Sequence, residues 1–205
     1  MEAPLTQYAL RDGVHIGYQV WGVAPEEPGD DRVDVLEFNS GLMISIDETV
    51  DEPNWLRYTE RVADFSRLIR FDAGGLGLSD PLPTGTDPSI EGLGRDALAV
   101  MDAAGCDRAV VLSSGGGTMA AVWLAATHPE RVISLIIVNG TARVGQAEDY
   151  GFGASDEEVA MGSWIEGSMT EDGIPRDISI FAPSLAHRVG FREWWGRAAR
   201  RGASP

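Results

Sequence analysis

Apolar and polar positions alternate over residues 6–10 and again over 14–21, and Arg11-Asp12-Gly13 lies between the two runs. An Asp-Gly pair in that place predicts a β-hairpin. Val33–Phe38 (VDVLEF) predicts a short third strand, followed by Asn39-Ser40-Gly41-Leu42. Over Trp55–Phe65 the apolar positions Leu56, Val62, Ala63 and Phe65 stand among charges, the pattern of an amphipathic helix. Leu68–Phe71 predicts a strand running into Asp72–Asp80, and Ser89 is a good N-cap for a helix over Ile90–Ala104 that stops at Gly105. Ala109–Leu112 predicts another strand, Ser113–Gly117 a sharp turn, and Thr118–Thr127 a helix of small residues ended by Pro129. Ile133–Val138 (ISLIIV) is almost continuously apolar, as in a parallel strand covered on both faces. Beyond Gly140 the chain is polar and irregular, with helical stretches and no clear strand.

A hairpin followed by strands alternating with helices predicts an α/β fold, a mostly parallel sheet flanked by helices. Chemistry in such sheets sits at the carboxyl ends of the strands. Ser113-Ser114-Gly115-Gly116-Gly117 lies at such an end. A serine on a strand-to-helix turn is the nucleophile-elbow arrangement: the turn lifts the hydroxyl clear and aims the next backbone N–H at a developing oxyanion. On that template Ser114 is the nucleophile, Gly116 the small residue two places after it, and Leu112 stands where a small residue is usual. The same glycines also suit a plain structural turn or a phosphate cradle. There is no G-x-G-x-x-G at this turn, and a chain without lysine has no P-loop.

Composition narrows the function. A length of 205 residues suits one domain with a sizeable core. A net charge of −16, from 32 acids against 16 arginines, argues against nucleic-acid binding, which needs a basic face. The acids cluster at Glu26–Asp31, Asp47–Glu52 and Asp156–Glu158, which read as solvated loops or helix starts. No apolar run is long enough for a membrane span, and the N-terminus lacks the apolar stretch of a secretory signal. The single cysteine, Cys106, fits a reducing cytoplasm and reads as a small buried residue, not a catalytic thiol. No calcium loop and no metal-spaced Cys/His cluster is present, so neither metal nor cofactor is expected.

The order of segments resembles the N-terminal two-thirds of an α/β-hydrolase. The chain looks most like the bacterial subgroup found alone or fused ahead of a class III adenylate/guanylate cyclase domain. The likeness is carried by Asp12–Gly22 (DGVHIGYQVWG), Phe65–Asp80 (FSRLIRFDAGGLGLSD), Ala97–Gly105, the elbow, Ala125–Val132 (AATHPERV) and Phe181–Trp195 (FAPSLAHRVGFREWW). It implies a hydrolase core over 1–141, with six strands, and a cap-like helical region over 142–205. It implies acyl transfer through Ser114, with the backbone N–H groups of Gly115 and Leu42 as oxyanion hole, on a small ester or apolar ligand entering beneath the cap. Asp72 reads as structural in that scheme.

The family's acid and histidine follow later strands that this sequence does not contain, so the expected chain is incomplete or weakly active. Of its three histidines, His15 lies on the second strand. His128 lies 14 residues after Ser114, roughly 20 Å along a helix. His187 is the remaining candidate base. A rival reading is a non-catalytic ligand-binding or regulatory module. Without later strands, Ile133–Val138 is expected to be an uncovered apolar edge, completed by another segment or a dimer partner. The basic stretch Arg192–Arg201 is a candidate to cover it.

Overall fold

The computed structural model describes residues 3–24, 32–38, 44–159, 178–180 and 182–202. The hairpin forms as β1 (Gln7–Arg11) and β2 (Val14–Trp21), with Asp12 and Gly13 both at positive φ in the turn. β3 (Val33–Phe38), α1 (Pro53–Ala63), β4 (Ser66–Phe71), α2 (Ile90–Ala103), β5 (Ala109–Ser114), α3 (Thr118–Thr127) and β6 (Val132–Val138) follow. A last helix, α4, spans Phe191–Gly202. The strands make one six-stranded sheet in the order β1-β2-β4-β3-β5-β6, parallel from β4 to β6 and antiparallel at the hairpin.

The period of two in the strands sorts side chains between two cores. Leu36, Ile69 and Val111 face α2 and α3, where they join Ile16, Phe38, Val100, Met101 and Leu124. Cys106 belongs to this core, and burial pushes its thiol pKa up to about 12. Trp21, Val35 and Leu68 face α1 instead, with Val110 and Leu112 packed against them.

Three sequence expectations shift. The helix expected over 55–65 begins and ends two residues earlier. Glu52 caps it, its carboxylate accepting from Asn54 N at 2.9 Å and Trp55 N at 3.0 Å, and Pro53 fills the first turn where no N–H is needed. The strand expected over 109–112 runs on to Ser114. The basic stretch does not cover β6: as α4 it packs on Ile44, Trp55 and Ile178. β6 pairs with β5 on one side, and its Ile133, Ile136, Ile137 and Val138 remain 44 to 51% exposed. Among the described residues no helix is long and apolar enough to cross a membrane.

Candidate functional site

Ser114 is a strand residue. Its backbone is extended (φ −132°, ψ 151°) and it pairs with Val138 in the β5–β6 ladder. The turn begins one residue later, as a short 3-10 segment over Gly115–Gly117 that leads into α3. The positive φ of the strand-to-helix turn belongs to Gly115, at 53°. That conformation penalises any residue with a Cβ and is open to glycine. Around Gly115, Ser113 two places before is fully buried and Gly117 two places after is buried. Gly116, expected to be the small residue closing the motif, is exposed.

Two hydroxyls flank this turn without a hydrogen-bond partner, Ser113 Oγ and Thr118 Oγ1, both buried. Ser113 follows the parity of Ala109 and Val111 into the α2/α3 core. Ser114 takes the opposite parity and is half-buried.

The neighbouring turn, after β4, is held by Asp72. Its carboxylate accepts from Ser45 Oγ at 2.7 Å, Ile46 N at 3.1 Å and Leu78 N at 3.0 Å. Gly77 sits at φ +50° within it, where a Cβ would fall 2.1 Å from Asp72 Oδ2. Burial raises the Asp72 pKa to about 6 against the pull of the Leu78, Ser45 and Ile46 donors, and Asp47 nearby adds to the rise. Asp72 thus ties the 44–47 segment to the 72–80 turn.

A cleft of about 600 Å³ opens beside the elbow, lined by Gly116 and Ala120, by Gly74 and Gly75 of the β4 turn, and by Arg11 and Arg95. Asp96, 2% exposed, pairs there with the Arg11 guanidinium and accepts from Gly74 N at 2.9 Å. Burial pushes its carboxyl pKa up, against the Gly74 and Arg11 bonds that favour the charged form.

The candidate site residues are only partly brought together. Ser114 and Gly115 are adjacent at the end of β5. Leu42, the second proposed oxyanion donor, lies outside the described residues. His187 is exposed, in the turns before α4. His15 pairs with Asp80 at 2.6 Å, and His128 with Glu130 at 3.3 Å. Among the described residues no group of three or more His, Cys, Asp or Glu is placed to hold a metal ion.

The acids at 47–52, read as solvated loops or helix starts, do stand at helix starts, Glu48 opening a 3-10 turn and Glu52 capping α1, yet these two are among the most buried carboxylates. Glu48 and Glu52 are each 3% exposed. Glu48 receives Arg197 Nε at 3.2 Å and the Arg201 guanidinium, and Glu52 pairs with Arg188. Each is neutralised by a partner from the far end of the chain, which no local pattern announces.

No family model matches the chain. A protein from Caulobacter segnis named "Putative carbamate hydrolase RutD" is 32% identical over 133 residues, 64% of this chain and 45% of that protein. The chain spans between a third and just under a half of the curated relatives it matches. A hydrolase of solved structure from Pseudomonas aeruginosa superposes with a TM-score of 0.64 at 21% identity, covering 96% of this chain and 67% of that one. Est816, described as an N-acyl homoserine lactone degrading enzyme, superposes with a TM-score of 0.59 at 25% identity, covering 88% and 62%.

Proposed function

Since the chain has the α/β-hydrolase fold, we propose that it binds a small ester-, lactone- or carbamate-like carbonyl compound at its elbow without forming an acyl-enzyme. One observation carries this reading: the positive-φ position of the strand-to-helix turn is Gly115. In an elbow that position presents the nucleophile, and the N–H of the following residue meets the carbonyl oxygen. Here the following N–H belongs to Gly116, which lines the cleft. A donor is kept and the attacking oxygen is absent, so a carbonyl is held and not cleaved. The carbamate and lactone named for the relatives supply the ligand class.

The second reading is acyl transfer through Ser114, with Gly115 and Leu42 N–H groups as oxyanion hole and His187 as base. It is favoured by the half-buried place of Ser114 at the carboxyl end of β5. In either reading the exposed flank of β6 calls for a completing segment or a second copy. The lone buried thiol suits a reducing cytoplasm.

The test is labelling of the purified chain with a fluorophosphonate probe, beside Ser114→Ala, together with amide chemical shifts during titration with γ-butyrolactone. The expected result is no labelling, with saturable shifts at Gly115–Gly117 and no turnover. Labelling that Ser114→Ala abolishes would overturn the binding reading in favour of the acyl-enzyme.

A further inference from the structure

Away from the elbow, α1 and α4 meet over a void. It has a volume of about 370 Å³, and its walls include Trp55, Tyr58, Leu185, Phe191, Trp194 and Trp195. None of the residues lining it lines the cleft beside Gly116. We propose that this pocket is a second ligand site, for a neutral planar aromatic compound of one or two rings.

Packing supplies the first argument. Phe191, Trp194 and Trp195 are 3 to 6% exposed, yet Trp195 meets the other two edge-on and the space between α1 and α4 is left open. Trp55 stands 5.7 Å from Trp194 in a T-shaped pair, and Phe191 stacks on Trp194 at 5.5 Å. The pocket is a recess open on one side, and the ring surface that faces it has no dispersion partner of its own. The volume is within the range of small-molecule pockets. A flat ring inserted here would meet indole faces and edges together, the arrangement aromatic pairs prefer.

Electrostatics fixes the class. Several polar groups around the pocket already have partners. Trp194 Nε1 donates to Glu48 O at 3.0 Å, and Tyr58 Oη donates to Glu37 Oε1 at 2.9 Å. The Glu52 carboxylate accepts from Asn54 N and Trp55 N and pairs with Arg188, whose guanidinium lies 5.1 Å from the centre of the Phe191 ring. Glu48, Asp51 and Glu52 are matched by Arg188, Arg197 and Arg201. The walls are therefore apolar and the rim is electrically balanced, so an anion would find no free donor and a cation only ring faces against the cost of shedding its water.

The experiment uses the full chain and N-phenyl-1-naphthylamine, an uncharged fluorescent probe that accepts energy from tryptophan. The expected result is saturable one-to-one binding with quenching of tryptophan emission, competed by naphthalene and not by tetramethylammonium. Leu185→Trp, which fills the void, and Trp55→Ala, which removes a wall, should each weaken binding about tenfold or more, the loss of one good ring-on-ring contact and its buried area. Gly116→Leu, which fills the elbow cleft, should leave it within about twofold. Using two variants keeps the test decisive if one fails to fold, as read from its melting temperature. Absence of saturation, wild-type affinity in the folded pocket variants, loss of binding in Gly116→Leu, or displacement by tetramethylammonium would each overturn the assignment. The elbow reading can fail without touching this one.

Discussion

The turns after β4 and β5 leave the same end of the sheet on either side of β3, yet they are finished in opposite ways. After β4, Asp72 gathers a hydroxyl and two backbone N–H groups into one buried carboxylate. After β5, three glycines turn the chain while Ser113 and Thr118 keep buried hydroxyls with no partner. An unmet buried hydroxyl is a standing penalty that packing elsewhere must offset. Hydrogen bonding in the first turn maintains the fold. The second turn has one positive φ, at Gly115, and carries only hydroxyls and hydrogens as side chains from Ser113 to Gly117.

The contrast is broken most severely at Asp72. Asp72→Ala should leave the donors of Ser45, Ile46 and Leu78 without that acceptor and destabilise the chain by about 3 kcal/mol or more, read from urea unfolding. Next comes pH. The native pKa of Asp72 is raised to about 6 from 3.8, so between those values the native state binds the extra proton. The contribution of this group is complete below 3.8 and is lost as pH rises through about 6. The melting temperature of wild type relative to Asp72→Asn should therefore fall from pH 4 to pH 7. A flat difference would show that the carboxyl titrates normally.

Gly115→Ala should cost about 1 to 2 kcal/mol because of its positive φ, while Gly116→Ala should change stability by less than about 0.5 kcal/mol. Equal costs at both positions, in urea unfolding, would place the elbow in another frame. The smallest effect is expected at Ser113→Ala, which removes an unpartnered hydroxyl and should be neutral or stabilising by up to about 1 kcal/mol. Destabilisation beyond that range would mean that the hydroxyl has a partner.

Legibility in the sequence followed the range of the forces. The hairpin at Asp12-Gly13, the strand at 33–38 and the Ser89 cap, whose Oγ accepts from Gly92 N at 2.9 Å, are local signals, and each formed as read. The place of the positive φ was not legible, because five small residues in a row carry no local signal for it. Ladder pairing extends β5 to Ser114 opposite Val138, and the strained conformation then falls to the residue that tolerates it. Glu48 and Glu52 stand at helix starts as read, but their burial was not legible for the opposite reason: an acidic run looks solvated until arginines up to 153 positions away pair with it. The tryptophans of α4 fell within the cap-like region that the resemblance implied, but their pocket against α1 depends on how two distant helices meet.

Cys106 turns the molecule into its own clock. Its thiol is 2% exposed in the α2/α3 core, and at neutral pH it stays protonated. An alkylating reagent can therefore reach it only through excursions that lift a helix from the sheet. As the only cysteine in 205 residues, it yields a single modification rate. That rate, followed by intact mass over a urea series, measures how often the core parts, and ligand at either cavity should slow it by the amount it stabilises the closed form.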